Sequence, residues 1–435
     1  MIKILPYYER GDIEGGKLLA LYLNIVADAV PFPAEDVIDG VSPAKSIKSG
    51  MPRKRTPHYN ELLKTYLDSG ESYGLNPREQ DALLARKLVQ NYSTDLHDYL
   101  YQGAKGETDF HVNRANLRKL LTVRMPCGAL PESMDFRNPE DRLPQEVALG
   151  KRKKLTKEEK AEKEAREARK KLLLQEVFRY EQLASHEKIY DYLEALGVEV
   201  CPYCNRQFIT TVSAGSRRTR PQLDHFKNKS DYPFLALSIN NLVPSCGVCN
   251  LLKHDKDSEM LYPYFEGIGD LYVFATEDRA GGFTDLRTGA TRAPETFDVV
   301  LRPTRDEADS AMVRAKGSIE NLALEKLYQS HKDYITAIYF QRYIHTNDML
   351  EDFLTQCPDL FRHKSANAAT GTTPVPLSEE ERPAAKAELK RMLLMMDYRR
   401  QSWGNQPLSK LTNDISEEID RLERGIVVDG DIVKK

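Results

Sequence analysis

The sequence predicts an α+β protein that is mainly helical, with one compact hairpin-and-helix finger set into its middle. Three observations lead there. Apolar residues recur at helical spacing on both sides of the middle. Two Cys-x-x-Cys pairs, Cys201–Cys204 and Cys246–Cys249, stand 41 residues apart. Around them the pattern changes to short β-branched runs followed by a short helix. Composition sets the outer bounds: 435 residues, 40% hydrophobic and 30% charged, are ordinary for a water-soluble globular protein. The formal net charge is −3. Any surface for a polyanion is therefore a local basic patch and not a property of the whole chain.

Residues 1–144 read as a mainly helical N-terminal region. Leu62, Leu63, Tyr66 and Leu67 begin one helical pattern, and Leu83, Leu84, Leu88 and Val89 form another. Residues 145–184 read as a charged helical linker. Their run from Lys151 to Lys171 has no apolar stripe but carries Glu-to-Lys and Glu-to-Arg neighbours at helical spacing. The interleaved glutamates weaken a reading of this run as an arm along a DNA backbone. Residues 185–275 form the finger. Its lead-in, Ser185 to Gly197, is an amphipathic helix with Ile189, Tyr192, Leu193 and Leu196 on one face and Gly197 as its stop. Residues 276–435 read as a mainly helical C-terminal region. Short strands are expected at Leu271–Phe274 and Phe297–Leu301. A helical stripe follows through Leu327, Tyr328, His331, Ile335, Ile338 and Tyr339, where His331 reads as a packing residue. The loop 366–376 precedes a helix near Glu380 to Tyr398, whose Met392, Met395 and Met396 read as core. The lone Cys127 and Cys357 read as small buried apolar residues. Charge and proline come too early in the chain for a secretory core, and the run Leu18 to Val30 is too short and too polar to span a bilayer. A cytoplasmic protein without a membrane partner is expected.

The finger carries the chemistry. In a reducing compartment, paired knuckles of this spacing indicate a metal site rather than disulfides. Four thiolates complete a tetrahedral zinc shell with no open position, so such a zinc holds the fold and does no chemistry. Between the knuckles, Phe208–Val212 and Gln222–Asp224 read as the two strands of a hairpin around the polar loop 213–219. The hairpin ends on Asp224-His225. The turn Asn240–Pro244 leads to the second knuckle. A helix from near Val248 then carries Asn250, Lys253 and His254, with Asn250 and His254 on one face.

The segment CPYCNR…LDHF…NNLVPSCGVCNLLKH, spanning roughly residues 198–265, resembles the HNH endonuclease family: a ββα-metal finger with a treble-clef-like zinc support. It is most similar to the HNH nucleases of bacterial anti-phage systems such as Septu and retron-associated effectors, as is, more loosely, the stretch Trp403–Thr412. The resemblance implies His225 as general base, a role that a near-neutral imidazole suits. Asp224 and Asn250 would hold a catalytic divalent ion, with His254 as a third ligand or a phosphate contact. Oxygen donors favour Mg²⁺ or Mn²⁺. Asn241 matches the middle Asn of the family name and would orient His225 or brace the loop. Arg217, Arg218, Lys227, Lys229 and Lys253 would form a phosphate-binding rim.

The function so implied is metal-dependent hydrolysis of phosphodiester bonds in DNA, most readily double-stranded, by the effector of a bacterial defence system. An RNA nuclease, for instance on tRNA, and a catalytically idle zinc module that binds nucleic acid are the alternatives. The chain has no G-x-x-x-x-G-K-[ST] motif, so a partner ATPase or sensor protein is implied by the resemblance alone.

Overall fold

The protein is described from a computed structural model over residues 3–4, 9–30, 57–67, 77–101, 112–137, 172–253, 259–279, 293–306, 308–358, 377–394 and 398–423. The charge run 151–171, the loop 366–376, Met395, Met396 and His254 lie outside these residues. The N-terminal helices are α1 (Asp12–Ala29), α2 (Pro57–Tyr66), α3 (Pro77–Tyr92), α4 (Thr94–Leu100) and α5 (Arg114–Leu121). α4 and α5 start where Ser93 and Asn113 turn their side-chain oxygens onto the backbone N–H three residues on. α6 (Tyr180–Ser185) and α7 (Ile189–Leu196) follow. α7 buries the four residues its spacing put on one face, and Gly197 ends it in the left-handed region at φ 65°. No helix among the described residues is long and apolar enough to cross a membrane.

The finger pairs its strands differently from the sequence expectation. The hairpin is β1 (Val212–Ala214) with β2 (Arg217–Thr219), closed by a two-residue turn in which Gly215 has φ 60°. The strand carrying Asp224 and His225, β3 (Gln222–His225), pairs antiparallel with β4 (Leu242–Ser245), where a turn was expected. The reason is burial. Every residue of β4 is buried, as are Leu223 and Asp224, and buried backbone must find a partner. α8 (Gly247–Lys253) closes the finger.

β5 (Tyr272–Asp278) and β6 (Phe297–Pro303) form an antiparallel pair at the two sites expected for strands. After them come α9 (Ser310–Asn321), α10 (Leu324–Tyr328), α11 (Lys332–Ile344), α12 (Asn347–Gln356), α13 (Glu381–Leu394) and α14 (Ser409–Glu423). A two-stranded ribbon leaves unpaired N–H groups on both outer edges, and helix side chains satisfy them here. Asp414 and Glu418, one turn apart on α14, accept from the N–H groups of Phe274 (2.8 Å) and Thr276 (3.0 Å). Glu325 and Gln329, also one turn apart, accept from Leu301 (2.9 Å) and Val299 (3.2 Å). The match works because i, i+4 on a helix and i, i+2 on a strand span similar lengths.

One apolar core runs through all of this, from Ile4 to Ile419. Leu173, Leu174, Val177, Phe178 and Leu183, within the span expected as linker, belong to it. A smaller cluster joins α12 and α13 through Leu350, Leu354, Ala385 and Leu389. Cys357 and Met392, expected to be buried, are exposed. Their helices cover the core with other residues: Leu350 and Leu354 on α12, Ala385 and Leu389 on α13. His331 packs beside Tyr328, and its Nε2 accepts from Arg206 Nε at 2.8 Å.

Lys410 and Asp414 make a fully buried ion pair at 2.7 Å. Burial pushes the ammonium of Lys410 down and the carboxyl of Asp414 up, against their mutual attraction. Removing one partner leaves a bare internal charge. Asp414→Ala is expected to lower unfolding free energy by about 3–5 kcal/mol, and Lys410→Met by less, since Asp414 keeps the Phe274 N–H. Denaturant unfolding of the two variants checks the order; equal losses would contradict it.

Candidate active site: the four-cysteine cluster and the strand beside it

The first knuckle is a tight turn. Cys201 N–H donates to Gln207 O at 3.0 Å, Asn205 N–H donates to Cys201 O at 2.8 Å, and Asn205 sits at φ 53°. The second knuckle runs from the end of β4 into the first turn of α8. Together they bring the sulphurs of Cys201, Cys204, Cys246 and Cys249 within 4.8 Å of one another, all buried. A tetrahedral ion with metal–sulphur bonds of about 2.3 Å has S–S edges of about 3.8 Å, and Cys204 Sγ lies 4.0 Å from Cys246 Sγ. Backbone N–H groups of Arg206, Cys246 and Cys249 point at the sulphurs at 3.4 Å, as thiolate acceptors require. Hydrogen bonds from the other three thiols hold Cys246 far below its usual range, while burial pushes Cys201 up. Four buried thiolates need a cation among them, and the donor set fits a closed, tetrahedral metal ion.

Strand alternation sends Asp224 and His225 to opposite sides of β3. Asp224 faces α8 and the first knuckle. Its Oδ2 accepts from the Tyr203 hydroxyl at 2.5 Å and lies 3.1 Å from Lys253 Nζ. The same ammonium reaches Asp224 Oδ1 at 3.3 Å and donates to the His225 carbonyl at 2.8 Å. Lys253, expected on an exposed rim, is thus an internal residue whose side chain is 2% exposed; a buried carboxylate opposite it supplies the compensation that its burial demands. Asn250, three residues earlier on α8, faces the same seam. Its Nδ2 donates to Gln222 Oε1 at 2.7 Å, and Gln222 shares the Asp224 face of β3. That bond uses the amide nitrogen, so the carbonyl oxygen of Asn250 remains its acceptor. Asp224 and Asn250 therefore lie along one seam with oxygen donors, the donor type that suits a hard divalent cation.

His225 faces the other way, with its Nε2 3.1 Å from Ala236 O. A carbonyl only accepts, so Nε2 carries the proton and Nδ1 carries the lone pair. The Tyr180 ring stands edge-on against the imidazole at 4.5 Å, anchored by its hydroxyl on Leu223 O at 3.0 Å. Burial, aided by the charges of Lys229 and Lys253, lowers the His225 pKa to about 4 against the opposing pull of the Ala236 carbonyl. The ring is neutral at neutral pH.

Asn241 is wholly buried, and its side-chain hydrogen bonds go to Lys227 and Leu235 rather than to His225. It braces the loop between His225 and its carbonyl partner. Its Oδ1 accepts from Lys227 N–H at 2.7 Å, its Nδ2 donates to Lys227 O at 3.0 Å and Leu235 O at 3.1 Å, and its own carbonyl accepts from Phe226 N–H at 2.9 Å. Leu235 precedes Ala236, so Asn241 anchors the residue next to the acceptor of Nε2. Of the basic residues, Arg217 and Arg218 are exposed on β2, the latter over the Tyr190 ring at 5.6 Å. Lys229 pairs with Glu181 at 2.9 Å and lies over Tyr180 at 5.2 Å, beside His225; Lys227 is partly buried near Tyr232.

Residues 201–256 match the family model for HNH endonuclease. No curated protein and no solved structure matches the chain. The match spans both knuckles, β3, β4 and α8, and an HNH endonuclease domain implies metal-dependent nuclease activity and binding of nucleic acid. Three contributors were not legible in the sequence. Tyr203 carries no signal beyond its place inside a knuckle. Tyr180 lies 43 residues before its contact with Leu223. Gln222 is marked only by the two-residue alternation with Asp224.

Cys249→Ser, or stripping with a strong chelator, is expected to remove the bound ion and lower the melting temperature of the whole chain, since the ion contributes folding energy directly. Metal content and calorimetry check it; a metal-free protein melting normally would contradict it. Asn241→Ala is expected to cost about 2–4 kcal/mol, because it removes three side-chain hydrogen bonds to the backbone of the loop, with metal content unchanged.

Proposed function

We propose that this protein is an HNH endonuclease that hydrolyses phosphodiester bonds of DNA, double-stranded in preference, with zinc in the four-cysteine site and Mg²⁺ or Mn²⁺ at Asp224 and Asn250. The observation that carries the reading is His225: a neutral imidazole whose Nε2–H is committed to Ala236 O, leaving Nδ1 as a base on the face of β3 opposite Asp224. Nδ1 takes a proton from the attacking water. The carbonyl of Ala236, fixed through Asn241, stabilises the imidazolium that forms and keeps the ring from turning. The divalent ion, when bound, supplies Lewis acidity to the phosphoryl group and the leaving oxygen. Asp224 and the carbonyl oxygen of Asn250 hold it, and His254 is a third donor or a phosphate contact. Arg217, Arg218, Lys227 and Lys229 contact backbone phosphates, which fixes position more than sequence. Lys253 serves this surface from within, through Asp224.

The exposed β1–β2 ribbon favours duplex DNA, since a two-stranded ribbon carrying paired arginines fits a groove flanked by phosphates. The resemblance to nucleases of anti-phage systems supports a cytoplasmic defence effector controlled by a partner ATPase or sensor. An RNA nuclease is the second reading, because the basic contacts proposed read backbone and not base edges.

His225→Ala is expected to lower the rate of plasmid nicking about 10²–10⁴-fold with Mg²⁺ or Mn²⁺, with unchanged zinc content and melting. Parallel digests of duplex DNA, single-stranded DNA and tRNA rank the substrates. Equal cutting by both proteins would overturn the assignment of the base; cutting confined to tRNA would overturn DNA as the target.

A further inference from the structure

The seam between β3 and α8 holds a carboxylate and an ammonium that cancel. The side chains of Asp224 and Lys253 are 7% and 2% exposed, and Lys253 Nζ contacts both carboxylate oxygens and the His225 carbonyl. Among the described residues, the other polar side chains bonded along this face, Tyr203, Gln222 and Asn250, contribute hydroxyl and amide dipoles and no net charge. On the opposite face of β3, Lys229 is paired with Glu181 at 2.9 Å, so that face adds no net charge either. Sites that hold a divalent cation firmly in the free protein do so by gathering carboxylates. Among the described residues of this face the one carboxylate, Asp224, is already neutralised from within, at a depth where solvent screens little.

Resting on the reading of Asp224 and Asn250 as cation donors, we propose that Lys253 makes divalent-cation binding conditional on nucleic acid. The free protein presents a neutral donor pair and holds the cation weakly. A phosphodiester laid against the seam supplies the missing negative charge, so cation and backbone bind together. Binding linkage is reciprocal, and each tightens the other by the same factor. A nuclease built this way assembles its charged centre only on its substrate.

The test uses the zinc-loaded full chain carrying His225→Ala, so that bound nucleic acid survives. Free Mn²⁺ is counted by electron paramagnetic resonance in titrations without nucleic acid, with a short duplex DNA and with an RNA duplex, each corrected for Mn²⁺ held by the nucleic acid alone. Fluorescence anisotropy gives the reciprocal effect of Mn²⁺ on duplex affinity. The expected result is a tightening of Mn²⁺ by about tenfold or more when duplex is bound, with a matching gain in duplex affinity. Adding Lys253→Met is expected to tighten Mn²⁺ in the nucleic-acid-free protein about tenfold and to remove most of the coupling. Mn²⁺ affinity that ignores the duplex overturns the inference, as does a folded Lys253→Met variant with unchanged or weaker Mn²⁺ binding. Should that variant fail to fold, the linkage in the parent decides alone. Wild-type protein that cuts nucleic acid while showing no linkage leaves the nuclease reading standing and removes this one. Protein that neither cuts nor binds Mn²⁺ beyond its zinc site removes both.

Discussion

Residues 201 to 205 are held in one tight turn by the need to place two sulphurs on a common ion, and each residue of that turn that is not a ligand or a proline does a second job. Tyr203 projects to one side and donates to Asp224. The carbonyl of Cys204 accepts from Tyr328 at 2.6 Å. Asn205, in a left-handed conformation that asparagine tolerates, takes hold of the C-terminal segment: its amide donates to Trp403 O at 2.7 Å, its Oδ1 accepts from Lys410 N–H at 3.2 Å, and its carbonyl accepts from Leu408 N–H at 2.6 Å. Closing four thiolates on an ion therefore sets the site carboxylate and seats α14 in the same act. α14 in turn closes the outer edge of β5 through Asp414 and Glu418.

The flanking regions reach the site in the same way, through carbonyls and loop anchors. Asn240 donates to Thr122 O and Val123 O, at the end of α5. Tyr22 of α1 donates to Leu237 O at 2.8 Å, one residue beyond the carbonyl that His225 uses. Tyr180 packs directly on the imidazole. The loop from Phe226 to Leu237 is thus pinned from the N-terminal helices as well as by Asn241, and the finger is built into a larger core rather than appended to it.

What was legible in the sequence were the features whose signal is local. The cysteine spacing, the Asp-His pair, the stop at Gly197, the apolar faces of α7 and α11, and the strands β5 and β6 are each written within a dozen residues. Strand pairing inside the finger was not. Gly215-Ser216 is a two-residue turn signal, yet the stronger β-branched run Phe208–Val212 drew the expected strand upstream of it. β4 follows an Asn-Asn turn and contains Pro244, features that locally oppose a strand; only its distant pairing with β3 makes it one. Lys253 failed for a related reason. Lysine is almost always solvated unless paired, and its partner lies 29 residues earlier on a strand whose facing could not be known until β4 was in place.

The two buried lysine–aspartate pairs show what such pairs are for. Their mutual attraction rarely exceeds the desolvation of both charges, and well-packed apolar residues of the same volume hold a fold as well. Stability alone therefore gives no account of Lys253–Asp224 or Lys410–Asp414. What distinguishes both from an apolar contact is that each charged group has hydrogen-bonding capacity left after pairing. Asp414 spends it on the Phe274 N–H, fixing a strand edge. Asp224 spends it on Tyr203, and Lys253 on the His225 carbonyl, so that knuckle, carboxylate, ammonium and β3 share one network. An apolar pair in that place would leave Tyr203 and the His225 carbonyl without partners, and it would leave the orientation of the site carboxylate undefined. The pair supplies direction, and electrical neutrality comes with it.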